Sequence, residues 1–446
     1  MKWLLGASLL YSITMQAQDV VTLSIEDALK EGLEHSRELK ASRSAQESAE
    51  ARAAEVNTNL LPQLKMEASY RRLSEVDPFQ VTLPTSQNSF VLSPSIENYY
   101  ALRVGVQQPL FTGFRLRSNV RAAEYLAEAA ALDYQSDESN VELQIQSAYW
   151  LLYQARETRS FIGENVRRTA AHLQDTERLA TAGLATRNDY LRIEVQLANS
   201  RLAEIDATND VRVAMMNLNK LLGRVLSTEL VPGTLPGHRP GRELAGATEI
   251  GKMVSYAKSR RPEVLAFDSR LQANKATVTA AQGGWWPQIF FSGNWYYSRP
   301  NPRYLPTRDE FLNTWDVGVV LQFDLWNWGA TSHQVEQAQA QLGRSQALFD
   351  LLKANIEVEV TQSQLRLQQS ERKIEVAEKA VRSAEENARS INDKYKNGLA
   401  TSSDVVDAEV ALLQSQTSLS GALVEHQLSL ARLKKAVGND WQGIDE

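Results

Sequence analysis

The sequence contains no cysteine among its 446 residues. This absence excludes disulfide-stapled scaffolds, cysteine nucleophiles and thiolate metal sites. Basic residues are not in excess either, since 48 Lys and Arg stand against 54 Asp and Glu and give a formal net charge of −6. A dedicated nucleic-acid binder usually carries a basic face, so the charge argues against that class. With 43% hydrophobic residues, the chain has enough apolar material to argue against wholesale disorder.

Motifs of familiar catalytic or cofactor sites are also missing. The chain has no glycine-rich phosphate loop ending in Gly-Lys-Ser/Thr, no His-Glu-x-x-His and no Gly-x-Ser-x-Gly. The histidines are scattered and are not spaced as metal ligands on one element: His35, His172, His238, His333 and His426. The sequence therefore predicts a protein that is not an enzyme and has no cofactor and no metal site.

The N-terminal segment has the three parts of a secretory signal peptide. Lys2 precedes an apolar run from Trp3 to Met15, and Ala17 offers a small residue for cleavage. We expect residues 1–17 to be removed and the mature chain to be exported. After residue 18 no apolar stretch reaches about eighteen residues, so the sequence predicts no transmembrane helix. An exported chain of this kind is soluble, associated with a surface, or crosses a membrane as a β-barrel.

The chain contains two copies of one unit. The segment Gly183–Asp189 recurs as Gly398–Asp404, and we call the displacement from Gly183 to Gly398 the repeat offset. At the repeat offset, 13 of 41 positions match between Gly183 and Gly223. Further upstream Leu61-Pro62-Gln63 aligns with Trp286-Pro287-Gln288 at a slightly larger offset. Between the copies, the segment from Pro232 to Gly241 carries three Pro-Gly pairs, which favours a linker. The predicted domains are therefore residues 18–230 and 231–446.

Each copy has the pattern helix, strand, strand, very long helix, helix. The first helix begins after Ser24, with Asp27 as a capping-box partner. Alternation of apolar residues with a period of two predicts strands at about 63–70, 99–108, 288–298 and 314–323. The proline-containing stretches between paired strands are predicted to be long surface loops. The fold class is thus mainly α with a small β part.

The helices that follow the strands are unusually long. From about Phe114 to Ala182 the first copy has no proline. Apolar residues of the next helix step by four and three, which predicts a coiled-coil seam through Leu191, Val195, Ala198, Leu202 and Ile205. Glycines end the long helices and threonines begin the next ones, so hairpin turns are expected at 182–188 and 397–403.

Four short strands cannot close a membrane barrel alone, because open edges in lipid leave backbone groups unpaired. Two chains would pool eight strands and three would pool twelve, and twelve strands leave a lumen narrower than that of a porin. Aromatic residues at the strand ends fit the girdles found at lipid interfaces. Such aromatics also fit the packed junction of a soluble strand and helix, because aromatics are common in strands.

The sequence resembles the TolC-like outer membrane efflux proteins over essentially the whole mature chain. The most specific features are Gln108–Gly113, its partner Asp324–Gly329, and the paired Gly-Leu-Ala-Thr-x-x-Asp turns. The resemblance implies a homotrimer with a shared twelve-stranded β-barrel in the outer membrane and a coiled-coil α-barrel tunnel in the periplasm. It also implies partners, namely a periplasmic adaptor protein and an inner-membrane pump.

The resemblance assigns two sets of residues near the hairpin turns. The adaptor-docking set comprises Gly183, Leu184, Ala185, Thr186, Gly398, Leu399, Ala400 and Thr401. The entrance-gate set comprises Asp404, Asp407, Tyr395 and Asp189. Plain helix capping also explains Asp404 and Asp189, because each follows a threonine cap by three residues. Some relatives carry a basic residue two places after the second turn glycine, where this chain has Ala400, so the sequence leaves open what holds the closed gate.

Two other classes of protein remain open at this level. A periplasmic adaptor would need only one helical hairpin, flanked by compact β-domains. A trimeric coiled-coil structural protein would show unbroken heptads and an anchor at one end. Neither alternative accounts for two duplicated strand pairs with aromatic ends. The resemblance leaves the cargo open among drugs, metal ions, detergents and secreted proteins.

Overall fold

The structure is a computed structural model that describes residues 21–82, 89–237 and 247–441. The predicted signal peptide, residues 1–17, lies outside the described residues. The described chain is mainly helical. The α-helices are α1 Ile25–His35, α2 Arg37–Asn57, α3 Arg115–Thr181, α4 Arg187–Leu222, α5 Ala247–Arg260, α6 Pro262–Gln282, α7 Ala330–Lys396 and α8 Ser402–Val437. The strands are β1 Val21–Leu23, β2 Gln63–Arg72, β3 Phe79–Thr82, β4 Ser89–Ser93, β5 Asn98–Phe111, β6 Leu230–Pro232, β7 Gln288–Arg299 and β8 Leu312–Gln322.

The chain forms two compact units. One unit, the helical unit, draws on the described residues of the ranges 1–42, 135–261 and 354–446. The other, the strand unit, draws on those of 43–134 and 262–353. The long helices α3 and α7 each contribute residues to both units. Both bounds of α7 follow those of α3 by the repeat offset, and the bounds of α8 follow those of α4 in the same way.

The strand unit contains a four-stranded antiparallel sheet in the order β2-β5-β7-β8. Its strands lie where the sequence places them, with small differences at their ends. One face carries the apolar residues of the period-two pattern, and these are exposed in the chain: Leu64, Met66, Tyr70, Trp315, Val317, Val319 and Leu321. A large exposed apolar face marks a site of contact with another protein or with a membrane. We therefore expect this face of the sheet to be covered by another chain or by lipid.

The opposite face of the sheet is polar and carries a chain of hydrogen bonds. The Arg103 guanidinium donates through Nη2 to Asn294 Oδ1 at 2.8 Å. The Asn294 amide in turn donates to Asp316 Oδ1 at 2.8 Å, and Arg303 donates to the other oxygen of Asp316 at 2.9 Å. This network joins β5, β7 and β8 across three neighbouring strands.

The predicted seam of α4 is not the face that this helix buries within its own chain. The buried apolar residues are Ile193, Leu197, Ala207, Val211, Met215, Leu218 and Leu222. The large apolar seam residues of the sequence analysis are instead exposed, from 43% for Leu191 to 66% for Ile205. Periodicity identifies both apolar stripes on the helix, but it does not say which one the chain itself covers.

Two pairs of strands differ from the sequence expectations. The stretch between β2 and β5, expected to be a loop, contains the antiparallel strand pair β3–β4. Strand β6 ends at the first residue of the expected linker; it pairs in parallel with β1 and places Pro232 opposite Leu23. Pro232 is the last residue of β6, so its missing N–H interrupts no further ladder.

The interior of the helical unit contains one buried tyrosine that links distant segments. Tyr149 on α3 is fully buried, and its hydroxyl donates to the Leu23 carbonyl at 3.0 Å. The same hydroxyl accepts from the Thr234 N–H at 2.9 Å. Tyr149 therefore anchors the β1 and β6 segments to α3. Within the described ranges, no helix combines the length and the apolar character needed to cross a membrane.

Candidate functional site

The turn between α3 and α4 has the geometry that its sequence dictates. Gly183 has a φ of +76°, a left-handed conformation that glycine adopts without strain. The Leu184 N–H donates to the Leu179 carbonyl at 2.8 Å, and the Gly183 N–H donates to the Ala180 carbonyl at 3.1 Å. These two bonds form a Schellman motif, which satisfies the last carbonyls of α3.

The turn between α7 and α8 repeats this geometry. Gly398 has a φ of +72°. The Leu399 N–H donates to the Lys394 carbonyl at 2.8 Å, and the Gly398 N–H donates to the Tyr395 carbonyl at 2.9 Å. The next helices also begin alike, because Thr186 caps α4 and Thr401 caps α8 with complete capping boxes.

Both turns present a leucine to solvent. Leu184 and Leu399 are each 77% exposed. In many Schellman motifs the residue at this position packs against the preceding helix turn. Here it does not, so each turn offers an apolar side chain that another protein can bury. The turn glycines carry no such signal, because the conformation of the backbone alone explains them.

The carboxylates of Asp189 and Asp404 both complete capping boxes. The Asp404 carboxylate accepts from the Thr401 N–H at 2.8 Å and from its hydroxyl at 2.7 Å. The Asp189 carboxylate accepts from the same two groups of Thr186 at 3.0 and 2.6 Å. These hydrogen bonds, led by the one from the threonine hydroxyl, lower the pKa of each carboxyl group. Both side chains stay ionised well into the acid range.

Asp407 has no capping role. It lies one turn after Asp404 and makes no hydrogen bond or ion pair with the described residues. The residue that corresponds to it at the repeat offset is Arg192, so the two copies do not share a carboxylate here. No hydrogen bond or ion pair in the described part of the chain joins Asp189 to Asp404 or Asp407. Asp404 and Asp407 therefore form an acidic pair on the first two turns of α8 alone.

Tyr395, in the last turn of α7, is held against α3. Its hydroxyl lies 2.8 Å from the Thr176 hydroxyl, and its ring centroid lies 4.7 Å from that of His172. His172 Nε2 lies 3.2 Å from the hydroxyl of Ser402, the first residue of α8. No motif in the sequence marks His172, Thr176 or Ser402 as site residues. The one sequence feature that sets these residues apart is that different residue types occupy the corresponding positions of the other copy.

Metal binding is not indicated by the geometry. Among the residues that the structure describes, no three His, Cys, Asp or Glu side chains come together as a metal site requires. His426 is buried on α8 and its Nδ1 lies 3.2 Å from the Ser370 hydroxyl. It is a packed helix residue.

Comparison with known proteins places the chain in one family. The model of the outer membrane efflux protein family matches residues 28–224 and again residues 253–439. The chain is 24% identical over 330 residues to the outer membrane efflux protein BepC of Brucella suis, a match that covers 74% of this chain and 70% of BepC. It is 23% identical over 444 residues to the alkaline protease secretion protein AprF of Pseudomonas aeruginosa, a match that covers 98% of this chain and 88% of AprF.

A solved structure agrees with these sequence matches in fold. The outer membrane channel CmeC of Campylobacter jejuni superposes with a TM-score of 0.79 at 14% identity, over 94% of this chain and 86% of CmeC. The chain therefore belongs to the outer membrane efflux protein family. It is an outer-membrane channel protein for efflux or secretion, and its relatives named above are efflux, secretion and channel proteins rather than enzymes.

Proposed function

We propose that this member of the outer membrane efflux protein family works as a homotrimer, in which three sheets close one transmembrane β-barrel and the helices form a periplasmic tunnel. The tunnel would carry cargo from a periplasmic adaptor and an inner-membrane pump to the exterior, and the chain would have no catalytic role. One observation carries the proposal: a four-stranded sheet with an exposed apolar face and two open edges.

The open edges require other chains if the sheet lies in lipid. The edge strands β2 and β8 span Gln63–Arg72 and Leu312–Gln322, lengths that suit a tilted membrane strand. Each unpaired backbone group in hydrocarbon costs roughly several kcal/mol, so isolated edges are not viable there. Pairing β8 of one chain with β2 of the next removes every edge, and three chains give twelve strands. The polar face around Arg103 and Asp316 would then line the lumen.

Aromatic residues support this orientation. Large aromatic side chains are exposed at the ends of the strands that adjoin helices: Phe114, Trp285, Trp286, Trp326 and Trp328. The amphipathic rings of the four tryptophans are suited to the boundary between lipid and water. In a soluble packed junction these rings would be buried within the chain.

The uncovered stripe of α4 supports the oligomer. Leu191, Val195, Leu202 and Ile205 follow the spacing of a helix-packing seam, yet no described part of the same chain covers them. A neighbouring protomer is the natural occupant, because the stripe runs along one long helix. We also infer that the chain consists of the two repeats 18–230 and 231–446, with the helix bounds shared at the repeat offset as support.

The two hairpin turns are the proposed adaptor-docking surface. It comprises residues 183–186 and 398–401, from which Leu184 and Leu399 project. Asp404, Asp407, Tyr395 and Asp189 are the proposed entrance gate. Threefold symmetry would bring six carboxylates from Asp404 and Asp407 around one axis, and such a ring favours cations. Capping does not remove the charge of Asp404, so both roles are compatible.

The two proposed kinds of transport are efflux, with a drug, metal ion or detergent as cargo, and secretion of a protein. BepC is named for efflux and AprF for secretion of an alkaline protease, and the chain resembles both. A periplasmic adaptor or a coiled-coil structural protein was the alternative from the sequence. The family match over both halves of the chain favours the channel.

Reconstitution tests the proposal. Purified protein in a planar bilayer should give discrete conductance steps, and cross-linking should stop at three chains. Val195→Glu combined with Leu202→Glu should weaken the trimer, because the two charges would be buried at the interface. Asn199→Glu, at an exposed polar position of α4, is the matched control and should leave the trimer intact. A non-conducting monomer in buffer without detergent would contradict the proposal.

A further inference from the structure

His172 connects α3 to both arms of the α7–α8 hairpin. The residue is only 6% exposed. Its ring packs at 70° against Tyr395 on α7, and its Nε2 bonds the Ser402 hydroxyl on α8. Thr176, one turn further along α3, bonds the hydroxyl of the same tyrosine. We call His172, Thr176, Tyr395 and Ser402 the latch cluster.

The latch cluster occurs in only one of the two copies. At the repeat offset, the residues that correspond to His172, Thr176, Tyr395 and Ser402 are, in that order, Asn387, Ile391, Ala180 and Arg187. These residues cannot reproduce a histidine held between a tyrosine ring and a serine hydroxyl. A structural need common to both hairpins therefore does not explain the cluster. It is specific to the hairpin that carries Asp404 and Asp407.

The surroundings of His172 disfavour its protonated form. Burial lowers the pKa of the imidazole, and the Asp175 carboxylate on α3 and a backbone hydrogen bond to Ser402 oppose that effect only in part. Ser402 is the first residue of α8, so the positive end of a helix dipole faces the ring. On α7, the titratable residue in contact with the His172 ring is Tyr395. Thr169 lies one turn before His172 on α3 and donates a hydrogen bond to the Glu409 carboxylate of α8. The charge of Arg168 lowers the pKa of that carboxyl group.

We propose that neutral His172 latches the α7–α8 hairpin onto α3, and that protonation of His172 releases this hairpin and opens the entrance. The proposal rests on the proposed function, because it assigns control of the gate to a residue that touches Tyr395. It makes His172 a positioning residue, which acts on the gate through Tyr395 and Ser402. Acid on the periplasmic side would then be an opening signal.

The direction in which pH acts on the latch follows from the lowered pKa of His172. A released histidine in water titrates near pH 6.5, roughly, whereas the latched one binds its proton only at lower pH. Between these two values the released state holds more protons than the latched state. The latch is therefore at full strength above the ordinary histidine pKa and weakens as the pH falls below it.

Conductance against pH tests the proposal. In the wild-type trimer, lowering the periplasmic-side pH from about 7.5 to about 5 should raise the conductance or open probability several-fold. His172→Gln keeps a hydrogen-bonding group without a titrating ring and should lose most of this rise. His426→Gln is the matched control, because His426 is also buried and bonded to a serine. His426 joins α8 to α7 within the hairpin, so its replacement should leave the pH response unchanged.

A second measurement follows the hairpin directly. Since the chain has no cysteine, Lys396→Cys gives a single labelling site at an exposed position at the end of α7. Distances between spin labels in the trimer should lengthen on acidification, and His172→Gln should suppress this change. If His172→Gln does not fold, His172→Phe serves the same purpose, because it keeps an aromatic ring beside Tyr395.

The outcomes separate this inference from the proposed function. If the wild-type protein neither conducts nor forms trimers, the proposed function fails. If it conducts but the spin-label distances do not change with pH, or the His172 variant keeps the wild-type pH response, only the latch is overturned. An equal loss of the response in His426→Gln would overturn the latch as well.

Discussion

The Thr169 hydroxyl donates a hydrogen bond to the Glu409 carboxylate over 3.2 Å, and this bond joins α3 to α8 at a fully buried threonine. Burial raises the pKa of Glu409, and the Thr169 hydrogen bond and the Arg168 charge offset this effect only in part. Above the ordinary glutamate pKa of about 4.5, the folded state therefore holds more of this proton than the unfolded state. The folded state is therefore destabilised as the pH rises from the ordinary glutamate pKa through the raised pKa of Glu409.

Glu409→Gln should stabilise the protein at neutral pH and flatten the fall in stability that begins above about pH 4.5. The amide oxygen of glutamine can still accept from Thr169, so the hydrogen bond is kept. Thermal unfolding followed by circular dichroism in detergent at several pH values measures the effect. Glu194→Gln is the control, because Glu194 is the exposed residue that corresponds to Glu409 at the repeat offset. An equal change in both variants would count against the buried carboxylate as the cause.

Leu184→Lys combined with Leu399→Lys should abolish export in cells while trimers still form. Each leucine projects from a turn whose backbone geometry does not need it, so lysine disturbs only a surface that a partner would bury. Cross-linking to the adaptor measures the effect, together with export of a cargo that the wild-type protein has first been shown to transport. Leu235→Lys makes the same change at a residue that is 74% exposed and outside both turns, and it should leave export normal. Unchanged export in the double variant would remove the docking assignment.

Asp404→Asn combined with Asp407→Asn should weaken block by a trivalent cation several-fold and reduce cation selectivity. The change removes two charges per chain, while the asparagine at 404 keeps an oxygen that can accept from Thr401. Single-channel recording with the cation added on the periplasmic side measures block. Asp206→Asn combined with Asp210→Asn removes two exposed charges from α4 and is the control. Normal conductance with unchanged block would leave the two residues as a cap and a solvated surface charge.

Tyr149→Phe should destabilise the chain by about 1–3 kcal/mol, because it leaves the Thr234 N–H without its buried partner. The Leu23 carbonyl loses the tyrosine hydroxyl but keeps its bond from the Gly233 N–H. Denaturation in detergent measures the loss. Tyr153→Phe, one turn further along α3, is a partly exposed tyrosine without a hydroxyl partner among the described residues, and its cost should be small. A similar cost for both substitutions would mean that the hydroxyl of Tyr149 contributes little.

Local residue types determined much of this protein from its sequence. The prolines and glycines, the threonine caps and the alternation of apolar residues placed the four long strands and both helical hairpins. Those signals act over one or two turns of a helix or along one strand, so they can be read without knowing the fold. Likewise the two turns with Leu184 and Leu399 follow from short motifs that occur twice.

The tertiary structure alone decided which stripe of α4 the chain buries and what surrounds His172. Two apolar stripes on one helix look equally suited to burial, and only the packing of neighbouring helices leaves Val195 exposed and Ile193 buried. His172 and Ser402 are 230 positions apart in the sequence, and no local sequence pattern predicts their contact. The contact exists because long helices place residues that are distant in sequence at the same level, where burial makes every polar group depend on its neighbours.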